Sequence, residues 1–227
     1  MRIRVSIDRF RRIVATLALL VAIAAAATDF DALMRDAGLV DVTTLDSAIT
    51  VDLKYATTDN FVHRNMYGSL SRAYVTRETG RSLQKALAIL RKINPGYGLI
   101  IYDAARPLSV QRTMWDTVKG TPNEKYVAKP HRGGPHNYGM AVDISLTLNG
   151  QPLDMGTPFD TFTTDAHITH EAALVAQGRI TAQAKRNREV LRNAMRQAGF
   201  TTFSREWWHF TRYSMKYTRR HLRLLDF

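Results

Sequence analysis

Cysteine is absent from all 227 residues. No disulfide framework, no thiolate metal site and no lipid anchor on cysteine can form, so any metal must be held by nitrogen and oxygen ligands. The chain also lacks an apolar run long enough to cross a bilayer: its longest, Ile13 to Ala27, is 15 residues, short of the roughly 20 that a spanning helix needs. Internal repeats are missing, and with them the solenoid architectures. Acidic residues are few, 20 against 32 lysines and arginines. The excess of positive charge is not accompanied by any nucleic-acid-binding motif, so no nucleic-acid partner is expected.

What is present begins with the basic stretch MRIRVSIDRFRR, the apolar run and four alanines at 24–27. This order is that of a secretory signal peptide, with cleavage expected near Ala26 or Ala27 and export to the periplasm. The expected division is therefore 1–27 as signal peptide and 28–227 as one domain, with no membrane span after cleavage. Five arginines against one aspartate in the leader leave +8 of the net +12 for the rest. A basic exported protein can associate with an anionic surface such as cell wall, or the charge can serve solubility alone.

Along the chain, residues 29–39 predict a short lead-in helix. ITVDLKYA alternates Ile49, Val51, Leu53 and Tyr55 with polar residues, the period of a half-buried strand. RETGRSLQKALAILRKIN spaces Leu83, Ala86, Leu87 and Leu90 at helical intervals before Asn94-Pro95-Gly96 stops it. YGLIIYDA reads as a buried strand, LSVQRTMWDTVK as an amphipathic helix and GMAVDISL as a strand. RITAQAKRNREVLRNAMRQAG reads as a long helix closed by Gly199, and WWHFTRY as the last strand. Strands and helices mix without regular alternation, which predicts an α+β domain with a central antiparallel sheet flanked by helices.

Three places could carry chemistry. In PHNYGMAVDIS, His136 and Asp143 are seven apart, an odd number that would put them on opposite faces of one strand. Gly139 can turn the chain cheaply between them, so that imidazole and carboxylate converge. In EWWH, Trp207 and His209 share one strand face, and Glu206 joins His209 only if the chain bends just before the strand. Two histidines and an aspartate make a three-ligand set with an open fourth position, as in a hydrolytic zinc site. A glutamate beside it would be the base for the attacking water. Spacing alone favours a glycine turn with a hydrogen-bonded cap over a metal site. Arg106 follows a buried strand directly, and Pro107 restricts its backbone. It could stabilise an oxyanion or form a surface pair with Asp103.

Together, HNYGMAVD, EWWH and DAARP, with DLKYATTDNF, YVAKP and LDMGTPFD, resemble the VanX-type D-alanyl-D-alanine dipeptidases, within the zinc-dependent D,D-peptidases of family M15. The resemblance runs from about residue 41 to residue 212. It implies one zinc ion held by His136, Asp143 and His209, with Glu206 as catalytic base and Arg106 stabilising developing negative charge. It implies that Asp160 accepts the free ammonium of a small D-amino-acid dipeptide. Two departures stand out: Gly134 occupies a position where the family usually has a substrate-holding serine, and AARP replaces the commoner AYRP. The rival readings are a D,D- or L,D-carboxypeptidase acting on peptidoglycan stems, and a non-catalytic zinc module that binds cell wall. DAHITHEAA, with His167 and His170 three apart, matches neither zinc-helix pattern and reads as a solvated, mobile segment. Trp115 reads as core packing, and the C-terminal basic residues read as a solvated face.

Overall fold

The computed structural model describes residues 28–227; the expected signal peptide lies outside the described residues. The elements in chain order are α1 (Phe30–Asp36), β1 (Val40–Asp41), β2 (Ile49–Val51), β3 (Tyr74–Val75), α2 (Arg77–Ile93), β4 (Tyr97–Asp103) and α3 (Leu108–Val118). After them come β5 (Ala141–Leu148), β6 (Gln151–Pro152), α4 (Glu171–Ala176), α5 (Ala182–Gln197), β7 (Thr201–Phe203), β8 (Glu206–Thr211) and α6 (Met215–His221). The main sheet has the order β2-β4-β5-β8-β7, with β6 on β5, and β1 and β3 form a separate antiparallel pair.

The α+β class stands, but the sheet is mixed rather than antiparallel. β2 runs parallel to β4, with Ile49 opposite Leu99 and Val51 opposite Ile101, and every other pairing is antiparallel. A parallel neighbour requires a long crossover; here the chain makes it through α2, between β2 and β4. The strand predicted through Tyr55 ends at Val51, and Lys54–Ala56 forms a 3-10 turn.

Helix α2 starts where its sequence says it should. The Thr76 side chain accepts from the Thr79 N–H, and Arg91 and Lys92 lie in the last turn, where the helix dipole favours cations. Leu83, Ala86, Leu87 and Leu90 are all buried. With α5 they pack against the sheet face formed by Leu99 and Ile101 of β4 and Ile144 and Leu146 of β5. Each fully buried leucine contributes about 1.5–3 kcal/mol. β5 is buried on both faces, so its second face is free to present Asp143 and Ser145 away from the helices. The C-terminal basic segment forms α6 and is largely exposed, but Leu225 beyond it is buried and ties the tail to Leu108 and Asn137 through backbone hydrogen bonds.

Candidate active site

The site sits where β4, β5 and β8 lie side by side, and two breaks in strand regularity build it. Pairing of β4 with β5 shifts by one residue between Ile101 and Asp103, a β-bulge that sets Asp103 opposite Asp143. Without it, alternation from Ile101 would send Asp103 to the helix-covered face. On the other side Asp143 pairs with His209, the last pair of the β5–β8 ladder. Beyond it, the β7–β8 pairing jumps from Thr202 with Phe210 to Phe203 with Glu206. Glu206 and His209, three apart, therefore both line one cavity. The bend expected before the strand lies inside it, at this jump.

His136 arrives from a 3-10 turn, Pro135–Tyr138, that ends on Gly139 with φ +65, the left-handed turn a glycine allows. The Arg106 N–H donates to the His136 carbonyl at 3.0 Å, which docks the turn beside the sheet. His136 Nδ1 lies 2.7 Å from the Ala104 carbonyl and His209 Nε2 2.9 Å from Thr211 Oγ1. The opposite nitrogens meet: His136 Nε2 is 3.2 Å from His209 Nδ1 and 3.4 Å from Asp143 Oδ2, and His209 Nδ1 is 3.0 Å from Asp143 Oδ1. All three residues offer ligand atoms within 4.8 Å of one another. Hydrogen bonds to the far ring nitrogens are what orient histidines as metal ligands. The donor set and its convergence thus fit a divalent cation. Burial opposes ionisation of Asp143, but the two histidines outweigh it and hold its carboxyl below the usual range. Burial also lowers the proton affinity of His209, so both groups favour their metal-binding forms.

Glu206 is buried, with Oε2 3.9 Å from His209 Nδ1. Burial first, then the charges of Asp143 and Asp160, push its carboxyl well above the ordinary range. Asp160 lines the same cavity at φ +58, a strained backbone for a residue other than glycine. Tyr55 OH donates to its Oδ1 at 3.0 Å. The residue as a whole is partly exposed, yet its Oδ2 is buried and meets no donor at good hydrogen-bond geometry among the described residues, the Phe61 N–H being the backbone group that favours its ionised form. Burial, and then the Asp143 charge, push its carboxyl up to about 8.

Arg106 does pair with Asp103, but in the interior rather than at the surface. Its Nε donates to Asp103 Oδ2 at 2.9 Å, its Nη2 to the same oxygen, and its Nη1 to Gln111 Oε1 at 2.9 Å. Asp103 is fully buried and also accepts from Tyr67 OH. Burial alone would lower the proton affinity of Arg106, but Asp103 and further neighbours outweigh it, so the guanidinium stays charged. Its Nη2 lies 3.8 Å from Asp143 Oδ2, and the group rests 5.1 Å over the Tyr55 ring.

The six predicted site residues thus line one cavity of about 250 Å³. This is below the roughly 300–1,000 Å³ typical of drug-sized ligands, and suits a small molecule. Trp208 lines it, edge-on to Phe159, whereas Trp207 is turned outside it and donates to Thr157 Oγ1 at 2.8 Å, in the loop that carries Asp160. Sequence reasoning missed the parts played by Tyr55, Tyr67 and Gln111. DLKYATTDNF was the available signal for Tyr55, an apolar-phase residue among polar ones. The segment expected to be mobile is tied down: Glu171 is buried and bridged by both Nη atoms of Arg192, and His167 Nε2 is 3.2 Å from Tyr126 OH. Trp115 packs partly buried against the core, under Lys129.

The family profile described as D-Ala-D-Ala dipeptidase, peptidase M15, matches residues 35–226. A D-alanyl-D-alanine dipeptidase of Escherichia coli K12 is 32% identical over 173 residues, covering 76% of this chain and 83% of its own. One of Enterococcus faecium is 30% identical over 177 residues, covering 70% and 83%. One of Synechocystis is 29% identical over 189 residues, covering 65% and 74%. With the profile spanning nearly the whole described chain, this protein belongs to the D-Ala-D-Ala dipeptidase family of M15 peptidases.

Proposed function

We propose that the protein is an exported, zinc-dependent dipeptidase that hydrolyses D-alanyl-D-alanine or a closely related cell-wall dipeptide. One juxtaposition carries the reading: a buried oxygen of Asp160 shares a small cavity with Glu206 and the ligand atoms of His136, Asp143 and His209. Two imidazoles and a carboxylate suit zinc, and bound there it would polarise the scissile carbonyl and acidify the attacking water.

The chain's own groups do the rest. Asp160 Oδ2 receives the substrate ammonium and fixes the N-terminal residue. The ammonium's charge favours the ionised form of Asp160, whereas a blocked amine forfeits that charge pair and leaves the buried carboxyl poorly satisfied, which is costlier than the hydrogen bond is favourable. Glu206 is the base: a nearby cation lowers its raised proton affinity, so its carboxylate can take a proton from water and return it to the leaving amine. Arg106, held by Asp103 and Gln111, keeps a fixed positive charge toward the developing oxyanion. A carboxypeptidase acting on longer stems needs no acceptor for a free ammonium, so Asp160 speaks against it.

Export to the periplasm is supported by the basic, apolar, alanine-ended leader. No helix among the described residues is long and apolar enough to cross a membrane. Association with anionic cell wall is supported by Lys129, His131, Arg132 and Arg219, which line a groove sharing Ala128, Gly134 and Pro135 with the cavity.

The test is zinc content measured beside release of D-alanine from D-Ala-D-Ala. Glu206→Gln should keep its zinc and lose about 10²- to 10⁴-fold in kcat, while His209→Ala should lose the metal. A Glu206→Gln protein with full zinc and full activity contradicts the mechanism.

A further inference from the structure

A free dipeptide carries two charges, and Asp160 answers only the ammonium. Most donors lining the cavity are already committed. Arg106 gives one N–H each of Nε and Nη2 to Asp103 and one of Nη1 to Gln111, its remaining N–H groups being those turned to the developing oxyanion, and the Gln111 amide donates to the Ala128 carbonyl at 2.7 Å. His136 and His209 converge with Asp143. The Gly134 N–H donates to Asn137 Oδ1 at 2.7 Å, and Pro135 has no N–H. No side chain fits at 134 without movement, because a Cβ there would stand 2.7 Å from the Ala128 Cβ. Ala128 thus closes this wall, and the segment 125–128 to which it belongs brings Lys125 to the cavity lining.

Among the described residues Lys125 has no carboxylate within ion-pair distance, whereas Lys119 and Lys129 on either side of it are paired with Asp116 and Glu124. Its Nζ lies 5.2 Å from the centre of the Tyr126 ring, an aromatic face that holds an ammonium without neutralising it. That ring is fixed in turn: it stacks on Phe162 at 4.8 Å, and Arg205 Nη1 donates to the Lys125 carbonyl at 3.2 Å. Lys125 is exposed, so its charge remains solvated until a ligand arrives.

We propose that Lys125 is a specificity-determining residue that pairs with the free carboxylate of the substrate while Asp160 takes the ammonium, so that the cavity recognises a zwitterionic dipeptide by both termini. The inference rests on the dipeptidase reading above. A peptide extended or amidated at its C-terminus loses this contact.

Zinc-loaded protein is offered D-Ala-D-Ala and its C-terminal amide. The wild type should favour the acid about tenfold or more in kcat/KM, as a hydrogen bond between charged groups allows. Lys125→Met should bring the ratio close to one by raising KM for the acid with little change in kcat, and the amide should change by less than about twofold. Lys125→Arg should restore most of the preference. Equal losses on both peptides, or an undiminished acid preference in Lys125→Met, overturn the inference. Equilibrium binding of both peptides to zinc-loaded Glu206→Gln protein reads the same preference without turnover. A wild type that does not hydrolyse D-Ala-D-Ala refutes the dipeptidase reading; equal binding of acid and amide to Glu206→Gln protein refutes the role of Lys125.

Discussion

Replacing Asp160 by Asn separates the substrate role of this residue from its cost to the fold. In the metal-free protein the Asp160 carboxyl titrates near 8, against 3.8 for an unperturbed side chain. Below about pH 4 the group is protonated in both folded and unfolded chains and contributes no difference. Between about pH 4 and 8 the unfolded chain has released the proton and the folded chain still holds it, so stability falls as pH rises, by about 1.4 kcal/mol per pH unit. Above about pH 8 both forms are ionised and the loss is complete, with an upper bound on the order of 6 kcal/mol. Asparagine does not titrate, and its Oδ1 can still accept from Tyr55 OH. Denaturant unfolding in EDTA should therefore find Asp160→Asn close to wild type at or below about pH 4 and more stable by at least about 2 kcal/mol at pH 8. The same variant, loaded with zinc, should lose about 100-fold in kcat/KM on a free dipeptide, because the ammonium finds no anion. Unfolding curves that keep the same separation at every pH would refute the argument.

Two further substitutions probe the supports of the site. Asp103→Asn removes the charge that locks Arg106 and accepts from Tyr67; it should lower kcat by about 10- to 100-fold while leaving zinc content near wild type, read by turnover and elemental analysis together. Gly139→Ala meets both a left-handed φ and a Cβ position 2.9 Å from Leu39 Cδ2. It should destabilise by about 1–3 kcal/mol in thermal or denaturant unfolding and weaken metal retention through His136.

The sequence was most legible where a local period was enforced by burial. Leu83, Ala86, Leu87 and Leu90 mark α2 because one helix face must meet the sheet, and Gly139 marks its turn because few other residues adopt that φ cheaply. That His136, Asp143 and His209 would meet was expected from the resemblance of HNYGMAVD and EWWH to the dipeptidases and not from their spacing, and the structure brings the three together. The parallel placement of β2 was not readable, since strand direction depends on where a crossover returns and not on the strand's own residues. Bulges were hidden for a related reason: the one-residue shift before Asp103 and the jump before Glu206 arise from pairing between strands, and alternation within either strand says nothing of them. Tyr55 was read by its apolar phase as strand, when burial and its hydroxyl bond to Asp160 fix it in a turn. The tail was read as a charged face, and so its buried apolar anchor, Leu225, was lost among the arginines.

The central claim is that one small cavity pairs a zinc-binding triad with an acceptor for a free substrate ammonium. The most direct measurement compares kcat/KM of the zinc-loaded protein on D-Ala-D-Ala and on N-acetyl-D-Ala-D-Ala, with the EDTA-treated protein alongside. The account predicts hydrolysis of the free dipeptide, at least about 100-fold less of the acetylated one, and neither after chelation. Equal rates on the two peptides, or full activity in EDTA, would contradict it.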